Sequence, residues 1–107
     1  MITEVQALLL AVLREQGKAH GHAMAKELEE MRGKPMGIGT LYKALHALER
    51  RGLVRGQWED QPEAEYGRPR RRFYRITGVG ERALKEYAAH IDSTRQLLRP
   101  RTGGALP

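Results

Sequence analysis

Residues 37–52 read GIGTLYKALHALERRG, and the spacing within this stretch decides the fold class. At about 100° per residue, Leu41, Leu45 and Leu48 fall within about 60° of one another and form one apolar stripe along a helix. The opposite side carries glycine, lysine, histidine and arginine. Gly52 stands where a left-handed residue commonly ends a helix. The stretch therefore predicts a helix over 38–51 that is anchored through leucine and presents a small, cationic face outward.

Two more helices are predicted ahead of this one. Residues 2–16 (ITEVQALLLAVLREQ) carry an apolar arc wider than about 100°, which is more apolar surface than one small domain needs. Residues 21–32 repeat methionine and leucine at i, i+4 and i+7, and the Gly-Lys-Pro segment that follows breaks the helix.

Beyond Gly52 the apolar period changes to two, which is typical of β-strands. Residues 53–59 and 70–77 are the two predicted strands, and the polar segment 60–69, with two prolines and a glycine, is a long hairpin tip between them. Charge is divided along this region. Acids come first, at positions 59, 60, 63 and 65, and arginines follow, at positions 68, 70, 71, 72 and 75.

A final helix is predicted over residues 78–98, with Thr77 as its N-cap. Its apolar positions alternate in spacing between three and four residues, which makes a heptad seam about two heptads long. Residues 99–107 (RPRTGGALP) have little to bury, and we expect them to be disordered.

Composition limits the classes of function. The chain has 107 residues, which suits one compact domain, and a formal net charge of +6, which favours a polyanionic partner. It has no cysteine, no apolar run near the roughly 20 residues that span a bilayer, and no basic region at the N-terminus. We therefore expect a cytoplasmic protein without a membrane segment.

The order of three helices, a two-stranded hairpin and a last helix is that of a winged helix-turn-helix, a mainly α fold with a small β-hairpin. Residues 1–77 would form this DNA-binding domain, and residues 78–98 a C-terminal dimerisation helix. The major groove of B-DNA admits one helix, and arginines at a wing fit the adjacent backbone or minor groove. The candidate DNA-binding residues are Gly39, Thr40, Tyr42, Lys43, His46, Arg50, Arg68, Arg70 and Arg71.

Two stretches, GTLYKALHALERRGLV (39–54) and GRPRRRFYRITGVGERAL (67–84), resemble the PadR-type transcriptional regulators. The family combines a G-T-L-Y helix, a G-R-P wing and a strand ending in T-x-x-G in this order. The resemblance implies a homodimeric repressor of the short subfamily with a single C-terminal helix. Two positions depart from the family pattern: His22 follows Gly21 where an aromatic residue is usual, and Lys43 stands where a proline often follows the tyrosine.

In such a dimer, the C-terminal helix packs with the first helix. The candidate dimerisation residues are Leu9, Leu13, Leu84, Tyr87, Ile91 and Leu98. The operator would be an inverted repeat with half-sites about 10 bp apart, or a multiple of that spacing. A small-molecule effector acting at the dimer interface is an additional partner whose chemistry the sequence does not name.

Each assignment has an alternative. The cationic helix face could be solvated surface, the wing arginines could guard an exposed strand edge, and the whole chain could be a winged-helix protein-interaction module without sequence-specific DNA binding. Trp58 is predicted to pack between wing and body, with a role in a ligand pocket as the alternative. His20 and His22 are predicted to be surface or capping residues. The acids at 59, 60, 63 and 65 sit on a loop, so we predict no catalytic residues, and neither a metal site nor a cofactor is expected.

Overall fold

The computed structural model describes residues 1–100, so the predicted disordered tail, except for Arg99 and Pro100, lies outside the described residues. The fold is mainly helical with one small antiparallel sheet, which confirms the predicted fold class. The helices are α1 Glu4–Gln16, α2 Gly21–Arg32, α3 Ile38–Arg50, α4 Glu63–Tyr66 and α5 Gly78–Leu98. The strands are β1 Ala19–His20, β2 Val54–Trp58 and β3 Arg72–Ile76.

The sheet contains one strand more than the predicted hairpin. Its order is β1-β3-β2, so β3 lies in the centre and pairs antiparallel with both neighbours. β1 is only two residues long and joins the loop between α1 and α2 to the sheet. α4 is a single helical turn within the hairpin tip that was predicted to be a loop. We call β2, β3 and the segment that connects them the wing.

The core lies between α1, α2, α3 and the inner face of the sheet. Its largest fully buried side chains include Leu9, Leu10 and Leu13 of α1, and Tyr74 of β3, which is 1% exposed. Burying a leucine completely stabilises the fold by about 1.5–3 kcal/mol. The wide apolar arc of α1 is therefore used inside one protomer. Leu9 and Leu13, both 0% exposed, are not available to a partner subunit, which corrects their predicted place in a dimer surface.

The turn after α3 is hydrogen-bonded to the N-terminus of α5. Gly52 has a φ of +75° and donates its amide to the carbonyl of Glu49, while the amide of Leu53 reaches the carbonyl of Leu48, so the helix ends in a Schellman motif as its glycine predicts. The Thr77 hydroxyl donates to the carbonyl of Gly52 at 2.6 Å and accepts from the amide of Gly80 at 3.1 Å. Thr77 is thus the α5 N-cap, as predicted.

α5 runs well beyond the core. Of its 21 residues, only Gly80 and Leu84 are buried, both in its first two turns. Gly80 is required there because an added Cβ would lie 2.1 Å from the carbonyl oxygen of Leu53. Within residues 1–100, no helix combines the length and apolar content that crossing a bilayer requires.

Candidate nucleic-acid interface

α3 has two faces, as its sequence predicts. Leu41, Leu45 and Leu48 are each 0% exposed, whereas Lys43 and His46 on the opposite side are exposed, as is Arg50. The buried stripe fixes the rotation of the helix about its axis, so the cationic side chains can only point away from the protein. The surface that they share is able to contact an anionic partner without moving the core.

The N-terminal end of α3 is open. Its N-cap residue is Gly37, which offers no side chain to the first amides, whereas α1, α2 and α5 each have a side-chain cap. Gly39 and Thr40 are exposed in this first turn. Unpartnered amides at a helix N-terminus favour negative charge, which suits the predicted role of this turn next to a phosphate.

Tyr42 connects α3 to the start of α2. The side chain is half-buried, and an added Cβ on Gly21 would lie 2.3 Å from its hydroxyl oxygen, so only glycine allows this approach. Its ring also lies 6.1 Å from the ring of His46, centroid to centroid. Tyr42 therefore has a packing role, and its predicted contact with DNA would use only the part of the ring that remains exposed.

His20 and His22 stand at the start of α2. Nδ1 of His20 accepts a hydrogen bond from the amide of Ala23 at 3.3 Å, which makes His20 the N-cap of the helix, one of the two roles expected for it. Burial, followed by the nearby positive charge of Arg71, lowers the pKa of His20. Accepting this bond and keeping a low pKa both favour the neutral imidazole. His22 is exposed.

One of the predicted wing arginines is neutralised within the protein. Arg68 Nη1 lies 2.7 Å from Glu59 Oε1, and Nη2 lies 3.2 Å from Oε2, so the two side chains form a bidentate ion pair. The guanidinium also covers the ring of Tyr66, 4.8 Å from its centroid. The hydrogen bond from Arg68, together with one from the amide of Arg71, lowers the pKa of Glu59 to about 2. Arg68 thus orders the wing tip, and its positive charge is balanced locally.

Arg70 and Arg71 are the candidate DNA-binding arginines of the wing that remain free. Both side chains are exposed, and within residues 1–100 neither forms a salt bridge. Arg70 Nη1 donates a long hydrogen bond of 3.4 Å to the carbonyl oxygen of Glu59, which is uncharged and leaves the charge of the guanidinium uncompensated.

A cleft of about 500 Å³ separates α3 from the wing. Side chains from the start of α2, from α3 and from the wing line it, and no carboxylate is among them. The cleft therefore brings together most of the candidate DNA-binding side chains: Tyr42, His46, Arg68, Arg70 and Arg71, along with His20, His22, Trp58 and Tyr74. Lys43 and Arg50 lie outside the lining of the cleft, on the exposed side of the same helix.

The prediction for Trp58 is wrong. Its side chain is 51% exposed and lines the mouth of the cleft rather than packing between wing and body. The strand alternation could have revealed this, because Trp58 lies on the same face of β2 as Val54 but four residues further out, beyond the end of the core.

The residues predicted for a dimer surface fall into two groups. Leu9, Leu13 and Leu84 belong to the core of the protomer. Tyr87 and Ile91 are half-buried, and Leu98 is 77% exposed. At about 100° per residue, Tyr87, Ile91 and Leu98 share one side of α5, so the accessible part of the predicted seam is the outer half of this helix.

The acids of the wing do not gather at one point in the part of the chain that the structure describes. Glu59 is occupied by Arg68, and Asp60, Glu63 and Glu65 are exposed. Across residues 1–100, no three histidine, aspartate or glutamate side chains come close enough to hold a metal ion.

A sequence model described as the transcriptional regulator PadR-like family matches residues 9–86, which run from the middle of α1 into the first half of α5. The chain belongs to the PadR-like family. This family consists of transcriptional regulators rather than enzymes. The matched region contains α3, the wing and the cleft between them, whereas the outer half of α5 lies largely beyond it.

Solved structures are similar to this PadR-like chain over most of its length. A PadR family transcriptional regulator from Eggerthella lenta is 30% identical, with a TM-score of 0.66 and coverage of 89% of this chain and 84% of that one. RosR of H. salinarum is 28% identical, with a TM-score of 0.67 and coverage of 87% and 76%. A transcriptional regulator from Clostridium thermocellum is 24% identical, with a TM-score of 0.75 and coverage of 92% and 93%, and at this identity the likeness shows the fold alone.

An uncharacterized 37.1 kDa transposon protein from Streptomyces fradiae is also similar to the PadR-like chain, at 38% identity over 87 residues. The match covers 81% of this chain but 22% of that protein, so the chain spans about a fifth of the length of this relative.

Proposed function

We propose that this chain is a sequence-specific DNA-binding transcriptional regulator that acts as a homodimer and, on the family resemblance, as a repressor. One observation carries the proposal: α3 presents exposed cationic side chains opposite leucines that are 0% exposed, beside a cleft without carboxylates. In this proposal α3 enters the major groove with Lys43, His46 and Arg50 facing the bases and backbone.

The free arginines of the wing complete the proposed interface. Arg70 and Arg71 would contact phosphates or enter the adjacent minor groove, where a narrow, electronegative groove favours a guanidinium group. The open N-terminus of α3 would accept a phosphate through its backbone amides. Because Arg68 is already bound to Glu59, we assign it to wing structure rather than to direct DNA contact.

The proposed dimer uses the outer half of α5. Leu97 and Leu98 are 85% and 77% exposed, and Ile91 is half-buried. Large exposed apolar side chains on one projecting helix favour association, since burial removes them from water. A second copy related by a two-fold axis would bury the same side chains from both helices and would place two α3 helices on one duplex.

Selection of bound sequences from a random duplex pool tests the function. We expect enrichment of an inverted repeat whose half-sites are about 10 bp apart, or a multiple of that distance. Binding to arbitrary DNA at low salt is no test, because any protein of this charge binds polyanions. If the pool yields no enriched sequence, the alternative applies: the chain is a winged-helix protein-interaction module that no longer reads DNA.

Sedimentation of an Ile91→Asp variant tests the dimer. A carboxylate on the apolar side of α5 would have to be buried without a partner, so we expect monomers where the wild-type chain forms dimers. Ala89→Asp is the matched control, because it adds the same charge about 200° around the same helix, at an exposed position. An unchanged dimer for Ile91→Asp would rule out this surface.

A small-molecule effector fits the same proposal. A ligand that entered the dimer interface would change the separation of the two α3 helices and therefore the affinity for the operator.

A further inference from the structure

A second ion pair ties α3 directly to the wing. Arg72 Nη2, at the start of β3, lies 2.6 Å from Glu49 Oε2, in the last turn of α3. The two residues are 23 positions apart in sequence. Their side chains are 28% and 31% exposed, so the pair is partly shielded from water and from salt.

Neighbouring residues of the sheet also contact the Arg72 guanidinium. The guanidinium lies 5.7 Å from the ring centroid of Trp58, its cross-strand partner, and 5.8 Å from that of Tyr74. It also lies over Gly56, where an added Cβ would approach Nε to 2.6 Å. The guanidinium is thus held by a carboxylate, two aromatic rings and a position without a side chain.

We propose that Glu49 and Arg72 are positioning residues that set the separation between α3 and the wing, and so determine operator specificity without contacting DNA. This inference rests on the proposed function. A duplex presents major groove and flanking phosphates at fixed separations, so only one distance between α3 and the wing lets both elements bind at once. The pair holds that distance before DNA arrives, which lowers the ordering cost of specific binding.

Charge and positioning predict opposite changes in operator affinity when Glu49 is replaced. Glu49→Gln removes a negative charge beside Arg50 on the proposed DNA-binding helix, and charge alone would strengthen binding to every duplex. A positioning role predicts the opposite for the operator. Gly56→Ala is a second variant, and it keeps every charge. Its methyl group would displace the Arg72 guanidinium from its position beside Glu49.

The experiment measures affinity for the selected operator and for an unrelated duplex of equal length. For both variants we expect the ratio of the two affinities to fall about tenfold, while binding to unrelated DNA is unchanged or tighter. Glu30→Gln, the same charge change at an exposed position of α2, should leave the ratio unchanged. The double variant Glu49→Gln/Arg72→Gln should be no worse than Arg72→Gln alone if Glu49 acts through Arg72.

Two controls distinguish displacement of Arg72 from general loss of the fold. A thermal midpoint within a few degrees of the wild-type value shows that the fold is intact, so a reduced ratio is not general destabilisation. Trp58 is the only tryptophan of the chain, and its fluorescence without DNA reports directly whether Arg72 has left its ring. If both variants bind operator and unrelated DNA with equal changes, the positioning role is overturned while the proposed function stands. If the wild-type chain selects no operator, both are overturned.

Discussion

The salt dependence of DNA binding follows from which cations the fold leaves free. Lys43, Arg50, Arg70 and Arg71 are exposed, and within residues 1–100 none of them forms a salt bridge. Each protomer therefore offers four such side chains at the proposed interface, and a dimer offers eight. If each neutralises one phosphate, the logarithm of the binding constant should fall with the logarithm of salt concentration with a slope of about −7. Between 50 and 200 mM salt, the affinity should fall by about 10⁴.

The Arg50→Ala variant tests the contribution of a single residue to this salt dependence. The substitution removes two cations from a dimer, so the slope should become about −5. If the guanidinium also reads a base, the operator affinity at fixed salt should fall by roughly 1–3 kcal/mol beyond that of unrelated DNA. Lys85→Ala removes the same charge from an exposed position of α5, outside the proposed interface, and should leave the slope unchanged.

Fluorescence anisotropy of a labelled duplex measures these slopes. The titrations are run at about pH 8, so that the slope reports lysine and arginine contacts with phosphates. A slope shallower than about −3 for the wild-type chain would mean that most of the free cations do not face DNA. Equal slopes for Arg50→Ala and the wild-type chain would remove Arg50 from the interface even if binding remained strong.

Three further predictions concern stability. Gly80→Ala should lower the free energy of unfolding by about 1–3 kcal/mol in urea titrations, because its methyl group would collide with a backbone carbonyl, whereas Gly78→Ala, which meets nothing closer than 3.8 Å, should be neutral or stabilising. The pKa of Glu59 is lowered by Arg68 to about 2 from an ordinary 4.5, so its contribution to stability is complete above about pH 4.5 and is lost toward pH 2. The difference in unfolding free energy between the wild-type chain and Glu59→Gln should therefore shrink on acidification, and a constant difference would contradict the ion pair. The pKa of His20 is also lowered, so the direction is the same: the unfolded chain binds more protons than the folded chain, and stability falls as pH drops below about 6.5. His20→Asn should flatten this decline.

Periodicity was sufficient to predict the long helices and the two main strands. The leucine stripe of α3, the terminating Gly52 and the capping Thr77 are local signals, and the structure confirms each of them. These features depend on residues within a few positions of one another, so one sequence carries all the information that they need.

What the sequence did not predict depends on contacts between distant segments. β1 is two residues long and exists because β3 lies beside it, so no local alternation indicates it. The apolar arc of α1 could have been covered by its own protomer or by a partner, and its width does not distinguish these. The tertiary fold decides, by covering Leu9 and Leu13 with its own helices and sheet.

The ion pairs of the wing are also contacts between distant residues that the sequence did not predict, and they bear on function. The sequence shows acids followed by arginines, and it predicts a basic wing, but it does not show that Glu59 and Glu49 neutralise Arg68 and Arg72. Two arginines that charge counting would place on DNA instead hold the wing in shape and connect it to α3. Removing either acid therefore adds positive charge near the duplex and loosens the element that would use it. The added charge strengthens binding to every duplex, whereas the loosening weakens binding to the operator only. Affinity for one sequence alone therefore cannot reveal the role of such a pair; only the ratio between sequences can.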